Sequence, residues 1–350
     1  MIMGTSAPVV FKVTDYVERD LAWEEEECRK LGVRFSCFQL KDAPPEEIVR
    51  QVGDADIVLV NMAGITAKVV AGLARTRLLL RHGIGYDNVD VAACSRRGIV
   101  FANEATASSE DVAEHAVMLM FEAYKKKRLQ DVILRDWIRT GRWSSKRIHP
   151  IYRLLGKTLG IVGCGNIGSR VLGKVRGLGM DVLVCDPYLS PGKFAELGVR
   201  NTPLDEILRR SDIVSLHVPV TEETRGLFDF AKFSLMKPSA VVVNTARGPI
   251  IRTADLVRAL REGVIAGAAL DVFEEEPPKP KLELFKMKNV VLSPHVAWYS
   301  EEGGLDIRRM IMEDVRAFLE GRLPRFVINR DVLAAPGLRY PLKSDEPRRG

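Results

Sequence analysis

From residue 8 onward, short runs of apolar residues alternate with segments in which apolar residues recur at helical spacing. The apolar runs in the first part of the chain predict five strands, VVFKV, VRFSCF, DIVLVN, RLLLRHG and GIVFAN. The segments between them, such as WEEEECRKLG and PEEIVRQVG, predict helices. Strict alternation of strand and helix indicates a parallel sheet with helices on both of its faces.

A longer helical pattern follows, from residue 108 to about residue 129, with acidic residues in its first turn as a helix start prefers. The next segment, RDWIRTGRWSSKRIHPIYRLLG, shows no period and is aromatic and basic. That composition admits contact with single-stranded nucleic acid, but one short segment is weak evidence for it. We interpret the segment as an arm that contacts another domain or another subunit.

A second alternating series begins at Lys157 and predicts six more strands, TLGIVG, DVLVCD, DIVSLHV, AVVVNTA, IAGAALDV and NVVLSP. A final helix is predicted over residues 301–320. From Asp331 the sequence is rich in proline and charge, which predicts a tail that lies extended or disordered.

The length and the apolar pattern place the chain among two-domain globular proteins. Its 350 residues are too many for one typical domain. No run of about 18 uncharged apolar residues occurs, so we expect no membrane span. The start, MIMGTSAPVVFKVTDYV, lacks the basic and apolar regions of a secretory signal, so we expect a cytoplasmic protein.

The cysteines, histidines and charges do not favour a metal or a nucleic acid. The five cysteines form no Cys-x-x-Cys pair, which argues against a disulfide framework and a structural zinc site. The five histidines include no His-Glu-x-x-His run. The net charge of +6 is mild, and the basic block at residues 125–128 ends a predicted helix, where cations complement the helix dipole.

A glycine-rich loop carries the first chemical signal. The strand TLGIVG runs into Gly163-Cys-Gly-Asn-Ile-Gly168 and then a helix, and the next strand ends in Asp186, eighteen positions after the third glycine. This is a dinucleotide-binding fingerprint, in which Gly163 permits a tight turn, Gly165 lets a pyrophosphate approach the backbone, and Gly168 lets helix and strand pack closely. Asp186 is suited to bind ribose hydroxyls and would repel a 2′-phosphate, so the sequence predicts NAD rather than NADP.

A nicotinamide cofactor implies hydride transfer, and ligands of such sheets lie at the carboxyl ends of the strands. The strand AVVVNTA ends at Arg247. The strand IAGAALDV ends in Asp271, and the chain runs on to Glu276. The strand NVVLSP ends at His295.

These side chains suit the reduction of a 2-keto acid or the oxidation of a 2-hydroxy acid. An arginine holds a carboxylate or carbonyl oxygen by two parallel bonds, and a histidine gives a proton to a developing alkoxide. A glutamate on the other ring nitrogen fixes the tautomer and stabilises the imidazolium. Each residue has a structural alternative, namely a strand-end cap for Arg247, an exposed charge for Glu276 and a packed core histidine for His295. Their joint placement favours the chemistry.

At this point the sequence resembles the D-isomer-specific 2-hydroxyacid dehydrogenases, from about Val9 to Asn329. Several motifs occur in the order of that family, HGIGYDNVDVAACSRRGI, SSEDVAEHAVMLM, GKTLGIVGCGNIGSR, NTARGPI, GAALDVFEEEPP and NVVLSPHVAW. The resemblance implies that Arg247 binds substrate and that His295 carries the proton. It also implies that Glu276, rather than the glutamates just before it, orients His295.

The resemblance implies an α/β architecture of two doubly wound parallel-sheet lobes with a cleft between them. A flavodoxin-like catalytic lobe is expected from residues 1–105 and 300–330, a Rossmann NAD-binding lobe from residues 106–299, and a C-terminal tail from residues 331–350. The cleft would hold the active site and close by hinge motion when cofactor and substrate bind. A homodimer formed through the region of the aperiodic arm is also implied.

Further contacts to the small molecules are expected. The expected cofactor contacts are Gly163, Gly165, Asn166, Ile167, Gly168, Asp186, His217, Val218, Pro219, Thr224, Thr245, Ala246, Asp271 and Ala297. The expected substrate contacts are Arg81, Gly83, Ile84, Gly85 and Trp298. The N–H groups of the glycine-flanked loop would bind a carboxylate, with Arg81 adding a charge or forming a structural ion pair. Trp298 would line the site against the C3 substituent of the substrate or would pack as ordinary core.

The piece HVAWYSEE lacks the glycines that commonly follow the histidine in this family. Together with DPYLS at Asp186, it resembles the branch of the C-terminal-binding-protein corepressors and their prokaryotic relatives. That branch gives an alternative function, an NAD(H)-sensing interaction protein with incidental turnover. We favour the enzyme, because the set of Arg247, Glu276 and His295 is complete.

Overall fold

The structure is a computed structural model and describes residues 7–16, 20–144 and 146–342. The chain divides into two compact units, and we call Met1–Ser108 with Ser300–Gly350 unit 1 and Ser109–Tyr299 unit 2. The strands are, in chain order, β1 Val10–Val13, β2 Arg34–Cys37, β3 Ile57–Val60, β4 Leu78–Arg81, β5 Val100–Asn103, β6 Thr158–Val162, β7 Asp181–Cys185, β8 Ile213–Leu216, β9 Val241–Asn244, β10 Gly267–Leu270 and β11 Val290–Leu292. The α-helices are α1 Ala22–Lys30, α2 Pro45–Val52, α3 Ala67–Gly72, α4 Val91–Arg96, α5 Ser109–Tyr124, α6 Lys127–Thr140, α7 Asn166–Val175, α8 Pro191–Glu196, α9 Leu204–Arg210, α10 Phe230–Ser234, α11 Thr253–Arg261 and α12 Glu301–Glu320.

Both units are built on parallel sheets, as the alternating pattern predicts. The described strands of unit 1 follow the order β2-β1-β3-β4-β5, which is the flavodoxin-like order. Those of unit 2 follow the order β11-β10-β9-β8-β6-β7. In unit 2 the order reverses between β6 and β8, and in such sheets a ligand binds where the order reverses, at the carboxyl ends of the strands.

Helices cover both faces of each sheet because the central strands are apolar on both sides. All four residues of β3 are buried, and so are all four residues of β8, β9 and β10. A strand with one wet face would instead alternate apolar and polar residues. In unit 2, α5 packs on β9 and β10 through Ala113, Ala116 and Met120, which recur at helical spacing.

The C-terminal segment corrects the sequence prediction. It is packed against unit 1 as far as Leu342, and a short 3-10 helix spans Arg330–Ala334. Leu333 and Tyr340 are buried, and the Tyr340 ring packs edge-on 5.2 Å from the ring of Phe318. The prediction of an extended or disordered chain from Asp331 is therefore wrong up to residue 342, because these apolar side chains bury enough surface to order the polar residues between them. Residues 343–350 of the predicted tail lie outside the described residues.

A glycine makes room for this segment. Gly98 has a φ of +69°, and a Cβ atom placed on it would lie 1.8 Å from the carbonyl oxygen of Gly337. A larger residue would therefore be strained in its backbone and would push the segment away. The position between α4 and β5 thus requires glycine.

The long helix that the sequence predicts is two helices. The helix α5 ends at Tyr124, and α6 begins after Lys126, whose backbone is left-handed with a φ of 56°. The segment predicted to be aperiodic from Arg135 is helical as far as Thr140. Leu129, Ile133 and Trp137 recur at helical spacing across this boundary, so the prediction ended the helical pattern too early.

The basic block at residues 125–128 lies where these two helices meet, and two of its side chains donate hydrogen bonds to backbone carbonyls. The ammonium of Lys125 donates to the carbonyl of Tyr152 at 2.6 Å. The guanidinium of Arg128 donates to the carbonyls of Met287 and Val290 at 3.0 and 2.6 Å. In the fold, these two cations therefore hold the arm and the loop before β11.

Of the buried acidic side chains of unit 1, Glu104 and Asp314 interact with each other. Glu104, which follows β5, is fully buried, and Asp314 of α12 is 4% exposed. Burial raises the pKa of Asp314 to about 6. Burial and the charge of Asp314 raise the pKa of Glu104 well above its ordinary range. Among the described residues, the Glu104 carboxyl oxygens and Oδ2 of Asp314 have no hydrogen-bond partner, which favours the protonated forms.

We predict that Asp314→Asn flattens the pH dependence of stability. The folded chain holds the Asp314 proton more tightly than the unfolded chain does, so the free energy of unfolding should fall as the pH rises from its ordinary pKa of 3.8 towards about 6. Asparagine removes that loss, which is about 3 kcal/mol, while Glu104 leaves a residual slope. Urea unfolding measured between about pH 4 and pH 8 checks this.

The matched control for that measurement is Asp306→Asn, since Asp306 is an exposed carboxylate on the same helix. The control should keep the slope of the unaltered chain. An Asp314→Asn chain with that same slope would contradict the assignment.

Candidate active site

The glycine-rich loop joins β6 to α7 in the arrangement that a dinucleotide site needs. Gly163 has a φ of +87°, and a Cβ on it would lie 2.8 Å from the backbone of His217. A Cβ on Gly168 would lie 2.1 Å from the carbonyl oxygen of Gly163. By contrast, a Cβ on Gly165 would meet no atom within 4 Å, so the surface there is open. Asn166 and Ile167 begin α7, whose N-terminal N–H groups point towards that open surface.

Asp186 lies beside this loop, immediately after β7. Its Oδ2 accepts the N–H of Cys164 at 2.8 Å, and its Oδ1 accepts the N–H of Tyr188 at 3.0 Å. Each oxygen keeps a second lone pair, and the side chain is half-buried. The carboxylate is therefore held rigidly and can still accept hydrogen bonds from a diol.

Two further predicted cofactor residues carry buried polar atoms without a protein partner. Within the described ranges, Nδ1 of His217 and Oγ1 of Thr245 have none, and His217 Nε2 lies 2.9 Å from Oγ of Ser215. Burial lowers the pKa of His217 to about 4, so its ring is neutral at neutral pH. Buried polar groups are normally satisfied, so these two atoms fit a bound polar ligand such as a dinucleotide.

The remaining predicted cofactor residues lie after the same strands. Val218 and Pro219 follow β8, and Oγ1 of Thr224 donates to the carbonyl of Pro219 at 2.6 Å. The N–H of Ala246, after β9, donates to Oδ1 of Asn244 at 3.0 Å. Ala297 is buried in the segment that follows β11. The fold thus gathers them at the carboxyl edge of the unit 2 sheet.

His295 and Glu276 form a hydrogen-bonded pair at the same edge. Nδ1 of His295 lies 2.6 Å from Oε2 of Glu276. The other oxygen of Glu276 accepts the N–H of Phe273 at 2.9 Å, which fixes the carboxylate plane. The His295 side chain is 38% exposed. Its second ring nitrogen, Nε2, is therefore free to meet a reacting group.

The charge on Glu276 is stabilised in this position. Burial alone would raise the pKa of Glu276, but the hydrogen bonds from His295 and Phe273 and the positive charge of Arg247 together lower it below its ordinary value. The carboxylate therefore stays ionised at neutral pH and can balance a protonated imidazole. Arg247 follows β9, and its guanidinium donates to the carbonyl of Ala246 at 2.7 Å.

Asp271 was predicted to contact the cofactor, and the structure gives its carboxylate several protein partners. It is fully buried at the end of β10. Its Oδ1 accepts the hydroxyl of Ser293 and the N–H of Val296, and its Oδ2 accepts the N–H of Ala297, at 2.6, 3.0 and 2.9 Å. A cofactor contact from Asp271 remains a prediction.

Trp298 is hydrogen-bonded to the backbone of His295. Its indole N–H donates to the carbonyl of His295 at 3.0 Å, and its ring packs edge-on 5.5 Å from the ring of Tyr299. The side chain is half-buried, so it is not part of a closed core. The N–H edge of the indole is therefore fixed by a hydrogen bond, and part of the ring stays accessible.

In unit 1, the predicted substrate loop follows β4. The N–H of Gly83 already donates to the carbonyl of Arg81 at 2.9 Å, which removes one of the three predicted anion-binding groups. The N–H groups of Ile84 and Gly85 have no protein acceptor within the described residues. The Arg81 guanidinium donates to Oδ1 of Asn61 at 3.1 Å and to the carbonyl of His82. Its role in binding substrate remains a prediction.

Two further polar residues lie at this site, His115 and Ser293, and the sequence patterns predict a role for neither of them. Nε2 of His115 lies 2.9 Å from Oγ of Ser293, across a separation of 178 positions in the chain. His115 lies on α5, and its place in the helical pattern shows only that it is next to the buried Ala116. No local signal pairs two residues so far apart, but Ser293 lies two positions before His295.

The described residues contain neither a metal-binding cluster nor a membrane-spanning helix. Within the described residues, no group of three or more histidine, cysteine, aspartate or glutamate side chains is placed to hold a metal ion. Of the helices in that part of the chain, none is both long and apolar enough to cross a membrane.

Comparison with known proteins supports the assignment that this geometry suggests. Residues 117–297 match the family described as D-isomer specific 2-hydroxyacid dehydrogenase, NAD binding domain. The chain is 37% identical over 335 residues to a glyoxylate reductase of Korarchaeum cryptofilum, covering 93% of this chain and 97% of that protein. It is 36% identical over 285 residues to a D-3-phosphoglycerate dehydrogenase of Archaeoglobus fulgidus, covering 81% of this chain and 53% of that protein.

A solved structure gives the same result. The D-lactate dehydrogenase of Aquifex aeolicus, complexed with NAD and lactic acid, matches with a TM-score of 0.78 and 29% identity, over 89% of this chain and 96% of that one. The predicted family, the fold of two parallel-sheet lobes and the NAD cofactor are thereby confirmed. The placement in the corepressor branch stays a prediction. The chain belongs to the D-isomer-specific 2-hydroxyacid dehydrogenase family, and residues 117–297 are its NAD-binding domain.

Proposed function

We propose that this protein interconverts a 2-keto acid and a D-2-hydroxy acid with NAD(H), in the cytoplasm. The observation that carries the proposal is the 2.6 Å bond between His295 and Glu276, in the same unit as the glycine-rich loop. An exposed imidazole backed by an ionised carboxylate can donate and accept a proton. Beside a nicotinamide site, that chemistry completes a hydride transfer.

Arg247 would bind the substrate and His295 would move the proton. When bound, the cofactor supplies or accepts the hydride at the substrate carbon. In the reduction, the Arg247 guanidinium holds the carboxylate or carbonyl oxygen, and protonated His295 donates from Nε2 to the oxygen on which negative charge develops. Glu276 keeps Nδ1 protonated and stabilises the imidazolium before transfer, so that Nε2 is the atom that gives up the proton.

The substrate class rests on the chemistry of the site and on the names of relatives. The relatives include glyoxylate reductases and a D-3-phosphoglycerate dehydrogenase, and one similar structure is a D-lactate dehydrogenase. We propose that unit 1 contributes Arg81 and the loop Gly83-Ile84-Gly85 to carboxylate binding. NADH oxidation against glyoxylate, pyruvate, hydroxypyruvate and longer 2-keto acids tests the proposal directly. Binding of NADH without turnover of any of them would favour the alternative, an NAD(H)-sensing interaction protein.

A homodimer is proposed from the surface of α6 and the arm that follows it. Ile138 and Trp143 are 72% and 70% exposed there, and the Trp143 ring packs edge-on 5.1 Å from that of Trp137. Large apolar side chains exposed together are typical of a protein–protein interface. Sedimentation velocity should show a mass of two chains, and a single-chain mass would contradict the proposal.

We expect NADH to bind at least about 10-fold more tightly than NADPH, a difference of about 1.4 kcal/mol. The reason is that the fixed carboxylate of Asp186 would repel a 2′-phosphate. Fluorescence titration of both cofactors against the unaltered chain and Asp186→Asn measures the preference. Asp186→Asn should lose most of it, whereas Asp181→Asn, at the other end of β7, should keep it. Equal affinities in the unaltered chain would remove Asp186 from this role.

We expect His295→Gln to lower kcat for keto-acid reduction by about 10²–10⁴ and to leave NADH binding nearly unchanged, because a positioned proton donor is worth that much. Glu276→Gln should move the upper pH limit of the reduction downward, because it removes the charge that stabilises the imidazolium. The pH profile of kcat measures this. Glu275→Gln is the control, since Glu275 is exposed in the same acidic run. If Glu276→Gln has the profile of the control, Glu276 does not act on His295.

We expect Trp298 to favour keto acids with unbranched side chains over glyoxylate. Two or three extra methylenes buried against the indole stabilise binding by about 1.5–2.5 kcal/mol, which gives a preference in kcat/KM of about 10- to 60-fold. Trp298→Ala should erase most of this preference and leave glyoxylate turnover comparatively intact. Trp298→Phe keeps an aromatic wall but loses the bond to His295, so it separates the two effects. An equal loss on all keto acids in both variants would assign Trp298 to support of the fold.

A further inference from the structure

Behind His295, three polar side chains of unit 2 form a chain that ends on a buried carboxylate. Nε2 of His115 lies 2.9 Å from Oγ of Ser293, and Oγ of Ser293 lies 2.6 Å from Oδ1 of Asp271. The direct distance from Nε2 of His115 to that same oxygen is 3.6 Å. The three residues come from α5, from the segment after β11 and from the end of β10.

The direction of these hydrogen bonds is fixed by the carboxylate at their end. An ionised Asp271 only accepts, so the Ser293 hydroxyl donates to it. The Ser293 oxygen is then left as an acceptor, and the N–H on Nε2 of His115 donates to it. Each member therefore restricts the rotation of the next, and the carboxylate of Asp271 has one orientation.

That orientation matters because Asp271 also holds the backbone of the segment that carries His295. The carbonyl of Asp271 accepts the N–H of His295 at 2.8 Å. Its carboxylate accepts the N–H groups of Val296 and Ala297, one on each oxygen. Three successive N–H groups thus converge on one aspartate.

The His295 backbone needs such a hold. Its φ is +55°, in the left-handed region that a residue with a side chain adopts at a cost of about 1 kcal/mol or more. Such a conformation persists when surrounding hydrogen bonds over-determine it. The direction of the imidazole follows from this backbone, so a turned or mobile Asp271 carboxylate would move Nε2 of His295.

We propose that His115 and Ser293 are positioning residues for His295, acting through Asp271 to keep the left-handed segment in place. The inference rests on the proposed function of His295 as the proton carrier. A displacement of about 1 Å at a reacting group costs on the order of 100-fold in rate, so partial loosening of this hold should be visible in kcat.

The test compares two variants of nearly the same shape. Ser293→Thr keeps the hydroxyl, whereas Ser293→Val fills a similar volume without it, so the difference between them isolates the hydrogen bond. We expect Ser293→Val to lower kcat about 10-fold at saturating NADH while KM for the keto acid changes less than about 3-fold. Ser293→Thr should stay within about 3-fold of the unaltered chain. Ser234→Ala, which removes an exposed hydroxyl on α10, is the control for general effects.

A second pair tests the far end of the chain. His115→Gln keeps an N–H donor near Nε2, and His115→Leu removes it, so glutamine should retain more of kcat than leucine. In the double variant of Ser293→Val and His115→Leu, the two losses should not add, because both act through the same carboxylate. Full additivity would overturn the idea of one chain.

A measurement without substrate separates this inference from the proposed function. The proton in the 2.6 Å bond between His295 and Glu276 should give a strongly downfield NMR resonance, which Glu276→Gln should abolish. Ser293→Val should shift or broaden that resonance and Ser293→Thr should not. An unaltered chain that shows the resonance but turns over no keto acid would refute the proposed function. The resonances of Ser293→Val and Ser293→Thr would then still test whether Ser293 positions the imidazole.

The inference is overturned if Ser293→Val and Ser293→Thr give the same kcat and the same resonance. It is also overturned if Ser293→Val loses only thermal stability or NADH affinity. Those results would mean that the Ser293 hydroxyl supports the fold or the cofactor contact of Asp271 and does not position the imidazole.

Discussion

All described strands of unit 2 run in one direction, and this parallel arrangement forces the segments after them to one edge of the sheet. The glycine-rich loop follows β6, Asp186 follows β7, Arg247 follows β9 and His295 follows β11. Residues from far apart in the chain therefore meet without any local signal that connects them. The cost is that each segment must be held at its end, since a strand alone fixes where the segment begins and not where its side chains point.

Buried or half-buried carboxylates hold these segments in place by accepting hydrogen bonds from their backbone. Asp186 ties the glycine-rich loop to the end of β7, and Asp271 ties the segment after β11 to the end of β10. Glu276 binds the backbone of Phe273 with one oxygen and His295 with the other. In each case a fixed acceptor uses part of its hydrogen-bonding capacity on the protein, and the same side chain lies where a ligand or a reacting proton is expected. Order in the site and chemistry in the site thus depend on the same atoms.

Sequence patterns located the strands and the glycine-rich loop because those features are local. Buried parallel strands are continuous apolar runs, and the loop needs glycine where a Cβ would strike backbone, as at Gly163 and Gly168. The strand ends suggested the pairing of His295 with a glutamate, although nineteen positions separate His295 from Glu276, and the family resemblance selected Glu276 from three successive glutamates. The patterns gave the wrong end for one helix, because the prediction stopped at residue 129 although the helical spacing continues into α6. They could not pair His115 with Ser293, because 178 positions of the chain separate these two contacting residues.

The packed C-terminal segment limits where the chain can be shortened or joined to another protein. Residues 331–342 cover one side of unit 1, where Tyr340 donates its hydroxyl to the carbonyl of Arg322 and Leu333 is buried. A chain cut after residue 330 would leave an open apolar groove beside α12, and exposed apolar grooves promote aggregation. A fusion partner attached there would compete for the same groove. Attachment beyond Leu342 leaves the groove filled by the protein's own residues.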